Sequence, residues 1–164
     1  MSATATSEPT QYLTFELEEE TFALDISKVR EVLEFSSVTK VPRTPEFMRG
    51  VINLRGSVVP VVDLRLKFGM TRTEKTVNTC VIIVEVSFES ESMVLGALAD
   101  SVQEVIELEP EKIEPAPSIG MQLRTDFIKG MGKRDEEFII ILDIDKIFTA
   151  DELAFAQEAS QSAA

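Results

Sequence analysis

The sequence predicts an all-β protein with short helices and one C-terminal helix. Apolar and polar side chains alternate along several short segments, as they do around Leu13, Phe15 and Leu17, and this spacing is typical of half-buried strands. Acidic or glycine-containing turns separate pairs of these segments, which indicates β-hairpins. The chain also repeats itself once, so we expect a duplicated small β-barrel.

The internal repeat is visible as two constant offsets in the residue numbering. An early block matches at an offset of 73 residues and a later block at an offset of 80, so the difference of seven predicts a loop insertion at 118–124. Matched glycine, proline and aspartate positions make a chance alignment of apolar strands a poor explanation. The matches are Val29–Glu34 with Val102–Glu107, Pro42 with Pro115, Glu46–Gly50 with Asp126–Gly130, Val58–Leu64 with Phe138–Ile144, and Phe68 with Phe148.

Strands account for most of the predicted elements. The segment Val41–Gly69 is the central unit, which the rest of the chain repeats once. Gly56 in this segment allows the positive φ of a tight turn, so we expect a β-hairpin with Arg55 at its tip. Pro60 must then lie at a bulge or on an edge. The predicted strands are Tyr12–Leu17, Thr21–Ile26, Leu33–Val41, Val51–Ile52, Val58–Leu64, Thr79–Phe88, Met93–Ala99, Val102–Glu109 and Phe138–Ile144.

Short helices and flexible ends complete the predicted organisation. We expect a helical turn capped by Ser27 through Val29 and Val32, a helix starting at Thr44–Glu46, another at Thr125–Lys129, and a C-terminal helix at 149–158 capped by Thr149. Residues 1–10 and 159–164 are expected to be disordered. The folded part, 11–158, then divides into repeat one at about 11–70 and repeat two at about 78–148.

Composition and charge exclude several classes of function. The 164 residues carry a net charge of −13, which argues against nucleic acid or an anionic membrane as a partner. The chain has no histidine, the commonest general base and metal ligand, and Cys80 alone cannot form an intramolecular disulfide. The N-terminus lacks the regions of a signal peptide, and no apolar run approaches the roughly 20 residues that span a bilayer. These features predict a cytoplasmic protein.

Two matched aspartates suggest an enzymatic alternative. Asp63 and Asp143 each end an apolar strand in one repeat, as the carboxylates of a proton-sharing dyad hydrolase would. The Thr-Gly or Ser-Gly that orients such a dyad is missing from both places. We therefore interpret each aspartate as the cap of the turn after its strand.

Other candidate sites have simpler explanations. Cys80 opens an apolar strand without a basic neighbour, so we expect a buried, unreactive thiol. The scattered acids lack the spacing of a calcium loop, and no glycine-rich phosphate loop is present. We expect no catalytic residue, no metal and no cofactor. Arg55 differs, because an arginine on a rigid hairpin tip of an acidic protein is a candidate interface anchor.

The segment from Phe47 to Arg65, FMRGVINLRGSVVPVVDLR, resembles the CheW family of chemotaxis coupling proteins. The similarity extends over about residues 11–158 and includes the segments YLTF at Tyr12, VREV at Val29 and ILDI at Ile141. The resemblance implies two five-stranded, SH3-like β-barrels packed on a shared core. It also implies a non-enzymatic adaptor between transmembrane chemoreceptors, the methyl-accepting chemotaxis proteins, and the histidine kinase CheA, whose regulatory domain has the same fold.

The resemblance also assigns a receptor-facing surface. Kinase contacts are implied less specifically, at apolar barrel ends and loops, so no kinase-binding residue is assigned. A CheW-like scaffold of a non-flagellar chemosensory pathway is the nearer alternative, and the dyad hydrolase is the remote one. The residues implied at the receptor surface are Val29, Glu31, Gly50, Asn53, Arg55 and Gly56, with Cys80, Val81 and Val105 lining a groove between the lobes.

Overall fold

The computed structural model describes residues 10–88, 90–115, 127–134 and 136–162, without the side chains of residues 88, 134, 155 and 159–162. The strands are β1 (Thr10–Leu17), β2 (Glu20–Asp25), β3 (Val29–Glu34), β4 (Met48–Leu54), β5 (Ser57–Asp63), β6 (Cys80–Phe88), β7 (Glu91–Ala99), β8 (Ser101–Leu108), β9 (Ile113–Glu114), β10 (Ile128–Arg134) and β11 (Glu137–Leu142). The α-helices are α1 (Leu64–Lys67), α2 (Ile144–Ile147) and α3 (Ala150–Ser162), and 3₁₀ turns lie at Ile26–Lys28 and Pro110–Lys112.

The strands form two sheets with the same internal order. One sheet runs β3-β6-β7-β5-β4, and the other runs β8-β1-β2-β11-β10 with the two-residue β9 added at its edge. Thr39 makes the matching contact in the first sheet, as an isolated bridge to Val51. The predicted strand count of five per sheet therefore holds except for this short addition.

Each sheet combines strands from both repeats. The hairpin β1–β2 of the first repeat lies between β8 and β11 of the second, and β6–β7 lies between β3 and β5. Parallel pairs, β5 with β7 and β11 with β2, join the exchanged hairpins to their hosts. This differs from the expectation that each repeat forms its own barrel. The insertion predicted at 118–124 lies outside the described residues.

The register of the strands reproduces the offset of 80. In β4–β5 the pairing shifts between Met48 and Gly50, opposite Val62 and Val61. In β10–β11 it shifts at the residues 80 positions later, between Ile128 and Gly130. Because the β-bulge lies at the same place in both hairpins, it is a regular feature of the fold that bends each hairpin at its base.

The core is shared between the sheets. Its largest cluster joins residues of both, including Phe15, Leu24, Ile82 and Leu142, while each sheet also has a smaller cluster of its own. Aromatic contacts cross between the repeats in a reciprocal way. They are Phe47 with Phe148, whose ring centroids lie 5.9 Å apart, and Phe68 with Phe127, whose centroids lie 4.8 Å apart.

Three predicted helices are wrong. Val29–Glu34 is a strand with alternating burial along β6, and the preceding 3₁₀ turn is capped by Asp25, whose side chain accepts from the Ser27 N–H at 2.9 Å. Thr44 and Pro45 have no regular structure, Glu46 and Phe47 form a turn, and β4 begins at Met48. Ile128 and Lys129 belong to β10, and residues 125–126 are not described.

The C-terminal helix is confirmed. Thr149 and Glu152 form a capping box: the Glu152 N–H donates to Thr149 Oγ1 at 3.2 Å, and the Thr149 N–H donates to Glu152 Oε1 at 2.8 Å. Helix α3 runs to Ser162, four residues beyond the predicted end. Its buried Leu153 and Ala156 join the shared core.

Asp63 is fully buried at the end of β5 and accepts four hydrogen bonds. Oδ2 accepts from Arg49 Nη1 at 3.1 Å and from the Thr73 N–H at 3.0 Å, while Oδ1 accepts from Thr73 Oγ1 at 2.8 Å and the Arg65 N–H at 3.1 Å. Asp143 has the same place at the end of β11 but is only half-buried, and its side chain accepts from the Asp145 N–H at 3.2 Å. Both aspartates therefore cap the helix that follows, as predicted.

The difference between the two aspartates predicts different costs of removal. Asp63→Ala should lower the free energy of unfolding by about 3–5 kcal/mol, because it leaves the Arg49 guanidinium buried without its counter-ion. The matched variant Asp143→Ala loses mainly a helix cap and should cost about 0.5–2 kcal/mol. Urea denaturation of both variants measures this, and equal losses would contradict the assigned role of Asp63.

A charged cluster ties the β1–β2 turn to the linker. Arg65 contacts Asp100 with two bonds of 3.1 Å and Glu18 at 3.1 Å, and Glu18 accepts from the Thr71 N–H and hydroxyl at 2.9 and 2.7 Å. The hydrogen bonds from Thr71, and then the charge of Arg65, lower the pKa of Glu18 from its ordinary 4.5, although desolvation opposes them. The ionised form of Glu18 is thus favoured by folding.

This pKa shift predicts a pH dependence of stability. Because the folded-state pKa is lowered, the contribution of Glu18 is present above its ordinary value of 4.5 and is lost as the pH falls through the folded-state pKa. Glu18→Gln should therefore be less stable than the wild type at pH 7, and the gap should close as the medium is acidified below about 4.5. Glu19→Gln, in the same turn, removes the same charge and is the control for a general effect of charge on stability at pH 7.

Candidate functional site

The Arg55 hairpin forms as predicted. Arg55 and Gly56 are the two central residues between the paired Leu54 and Ser57, with φ of 51° and 89°. Positive φ at both positions is what a type I′ hairpin turn requires. Asn53 supports the turn, since its Oδ1 accepts from the Gly56 N–H at 2.8 Å. The turn thus fixes the Arg55 backbone on an exposed tip.

Arg55 meets Glu31 in a two-pronged ion pair. Arg55 Nη1 donates to Glu31 Oε1 at 3.3 Å, and Nη2 donates to Oε2. The Arg55 side chain remains 70% exposed and that of Glu31 29%. The hydrogen bond and the charge of Glu31 raise the pKa of Arg55, so the guanidinium stays charged at any physiological pH. A geometry of this kind orients the arginine without hiding it.

The same contact shows that the sheet closes on itself. Glu31 lies on β3 and Arg55 joins β4 to β5, so residues from opposite edges of the sheet meet. The segment after β3 completes the closure, because Thr39 and Val51 exchange two backbone hydrogen bonds of 2.8 Å. Arg55 and Glu31 therefore lie at the rim of a closed barrel.

A groove with a volume of about 550 Å³ lies beside this ion pair. Its walls come from β3, the β4–β5 hairpin, β6, β7 and α3. The apolar lining residues are Leu54, Val58, Val59, Ile83, Met93 and Val94, and the polar ones are Arg30, Glu31, Arg55, Ser57, Ser92 and Gln157. Such a mixture suits a partner helix with one apolar face and polar edges.

Gly50 and Val29 have structural roles at this site. The φ of Gly50 is 146°, and a Cβ there would lie 2.3 Å from the Thr39 carbonyl oxygen. Gly50 thus permits the close approach that seals the barrel. Val29 is half-buried against the shared core, on β3 opposite Val84.

The structure separates the other predicted groove residues. Val81 is buried in the core of the five-stranded sheet. Cys80 is half-buried rather than buried as expected, and its thiol donates to the Asn78 carbonyl oxygen at 3.2 Å. Val105 is 47% exposed on β8, the edge of the other sheet. None of these three lines the groove beside Arg55.

Several groove residues escaped sequence reasoning. Arg30 pairs with Glu85 at 3.0 Å on the same rim, and its place beside Glu31 was the available signal. Met93 and Val94 follow a hairpin turn and were assigned only to a strand. No sequence pattern places Gln157 at the groove, since only the packing of α3 on β4 and β5 brings it there.

The geometry offers nothing to the dyad hypothesis. The four donors to Asp63 come from Arg49, Arg65 and Thr73, and in the part of the chain that the structure describes no hydrogen bond joins Asp63 to Asp143. Across the same residues, no group of three or more Cys, Asp or Glu side chains converges as metal ligands would.

Comparison with known proteins identifies the family. The family model of the CheW-like domain matches residues 11–152, nearly the whole chain. The chain belongs to the CheW family. As a member of that family it is an adaptor of chemotaxis signalling. Among the described residues, no helix is long and apolar enough to cross a membrane.

Individual relatives agree with this assignment. The chemotaxis protein CheW of Klebsiella aerogenes is 36% identical over 152 residues, which is 93% of this chain and 89% of the relative. That of Thermotoga maritima is 31% identical over 140 residues, 84% of this chain and 86% of the relative. The crystal structure of the scaffolding protein TtCheW from Thermoanaerobacter tengcongensis is 38% identical, with a TM-score of 0.77 over 88% of this chain and 96% of that one. The predicted fold class, two SH3-like β-barrels, is confirmed.

The environment of Gly50 predicts that its substitution acts through folding. Backbone strain alone costs about 1–3 kcal/mol. Gly50→Asp should lower the free energy of unfolding by more than this, because its Cβ also collides with Thr39. Gly56→Asp is the matched control, since a Cβ at Gly56 meets nothing within 4 Å. Urea denaturation compares the two. If Gly50→Asp is as stable as Gly56→Asp but no longer couples to receptors, Gly50 is instead a residue that contacts the receptor.

Proposed function

We propose that the chain couples the cytoplasmic tips of methyl-accepting chemotaxis receptors to the regulatory domain of the histidine kinase CheA. It does so without chemistry of its own. The chain is cytoplasmic and is recruited to receptor arrays in the membrane. The observation that carries the proposal is the exposed Arg55–Glu31 pair at the rim of a groove with apolar and polar walls.

The groove suits a receptor helix. Leu54, Val58 and Val94 are only half-buried and offer apolar surface that a helix can bury, which supplies affinity. Arg55 lies at the edge, where a charge fixes the register and orientation of the helix more than it adds affinity. Because Glu31 holds the guanidinium in place, little side-chain entropy is lost when a partner binds.

The receptor surface then has a centre and a periphery. Arg55, Glu31, Asn53 and Gly56 belong to one rigid turn and its support, and they form the centre. Val29 and Gly50 maintain the barrel beneath it. Val81 acts through the core, while Cys80 and Val105 belong to a more distant part of the interface. Kinase-binding residues remain unassigned, and apolar barrel ends and loops are the expected places.

Charge reversal at Arg55 tests this proposal. Arg55→Ala should weaken receptor binding by about 1–3 kcal/mol, as expected for a hot spot, and Arg55→Glu should weaken it more. Folding stability should change little, because exposed ion pairs contribute about 0–1 kcal/mol. Co-sedimentation with receptor-containing membranes, with and without the kinase, measures the loss, and binding to the isolated kinase should survive.

Two further variants make the test specific. Lys112→Glu applies the same charge change in the exposed 3₁₀ turn Pro110–Lys112 and should bind receptor normally. The exchange Glu31→Arg with Arg55→Glu restores the ion pair but inverts its direction, so receptor binding should stay weak. If the exchange restores binding, the pair serves only to hold the barrel, and the receptor contacts another surface.

A further inference from the structure

A second surface has the opposite charge from the rest of the protein. The exposed cations Lys40, Arg43, Arg72 and Lys75 form no ion pair with any residue that the structure describes. They lie in the loop before β4 and in the linker after α1. On a chain with 29 acidic and 16 basic residues, a local group of unpaired cations reverses the general balance.

Two adjoining depressions bring three of these cations together, and Arg43 lines neither of them. The first has a volume of about 390 Å³ and is lined by Lys40, Arg49 and Arg72, with Glu46 as its one acid. The second, of about 650 Å³, shares Arg49 and Arg72 and adds Lys75, with Glu74 as its one acid. We call the two together the basic depression. It shares no lining residue with the groove beside Arg55.

The basic depression is built on a fixed base. Arg49 is only 11% exposed and is held by Asp63 and by the Thr73 carbonyl oxygen, which its Nη1 reaches at 3.0 Å. Its buried Nε has no hydrogen-bond partner among the described residues. Asp63 and Arg49 therefore anchor the linker at Thr73, and the Asp63 N–H anchors the end of the loop by donating to the Phe47 carbonyl oxygen at 2.6 Å.

We propose that the basic depression binds an acidic segment of a partner protein. Arg72 offers a planar guanidinium that fits a carboxylate with two hydrogen bonds, and Lys40 and Lys75 flank it with point charges. Apolar walls from Val41, Pro45 and Leu66 would accept an apolar side chain next to the carboxylates. That combination favours a peptide over a free anion such as phosphate.

A second binding surface has a use in an adaptor. An acidic partner is repelled by most of a surface with a net charge of −13 and is attracted at the basic depression, so the charge pattern orients its approach. Binding should weaken as salt is added, because the cations are exposed and screened. This inference stands apart from the receptor proposal, since neither site needs the other to be occupied.

Nuclear magnetic resonance titration tests the proposal with two probes. One is a synthetic hexapeptide of four glutamates and two leucines, and the other is inorganic phosphate. The peptide should shift the amide signals of Lys40, Leu66 and Arg72 in a saturable way. The double variant Lys40→Glu with Arg72→Glu should bind it at least about tenfold more weakly.

The control keeps the test independent of net charge. Lys112→Glu with Lys133→Glu makes the same change at two exposed lysines, one in the 3₁₀ turn before β9 and one on β10, and should leave peptide binding unchanged. Equal losses in both double variants, or no saturable shifts at the basic depression, would overturn the proposal. Phosphate binding as tight as peptide binding would also overturn it, in favour of a small-anion site. Receptor co-sedimentation of the double variants should remain normal.

Discussion

The buried carboxylate of Asp63 is the interaction on which the arrangement of this protein depends. It ends β5, caps α1, neutralises Arg49 from β4 and fixes the linker through Thr73. A buried ion pair is not by itself a source of stability, since desolvation offsets much of its attraction. Its value here is specific: four hydrogen bonds allow only one relative position of hairpin, helix and linker. The linker in turn leads directly to the exchanged hairpin β6–β7.

The exchange of hairpins explains why two small sheets behave as one body. A strand pair that leaves its own repeat and joins the other cannot be released without opening both sheets. The parallel contacts β5–β7 and β11–β2 make this coupling, and the aromatic pairs Phe47–Phe148 and Phe68–Phe127 repeat it within the core. Separation of the two sheets would expose the shared cluster, so we expect a single cooperative unfolding transition.

Local features were predictable from the sequence, and distant pairings were not. The Arg55 turn followed from Gly56 and its apolar flanks, and the offset of 80 correctly matched the segments that form β5 and β11. The segment at Val29, for which a helix was expected, forms β3, because its β-branched residues pair with β6. No local pattern distinguishes a hairpin that stays in its repeat from one that crosses, since both have the same alternation.

The site divides in the same way. Arg55, Asn53 and Gly56 act together through contacts within four residues, and sequence alone could group them. The contact of Arg55 with Glu31 requires barrel closure, and the arrival of Gln157 requires the docking of α3. Family resemblance supplied Glu31 but could not tell a contact residue from a supporting one. For Gly50 the structure supplies the missing information: a Cβ there would clash with Thr39, so Gly50 supports the barrel.

Each of the two surfaces is supported by side chains that hydrogen bonds and ion pairs hold in place. Arg55 is held by a type I′ turn and by Glu31, and the basic depression is held by Arg49 on Asp63. Because Arg55 is fixed before binding, it loses less entropy when a partner arrives, whereas at the basic depression only the supporting residues Arg49 and Asp63 are fixed. The two anchors lie at opposite ends of one hairpin, β4–β5, because Arg55 is its tip while Arg49 and Asp63 are at its base. A shift of this hairpin would therefore move both of the proposed surfaces together.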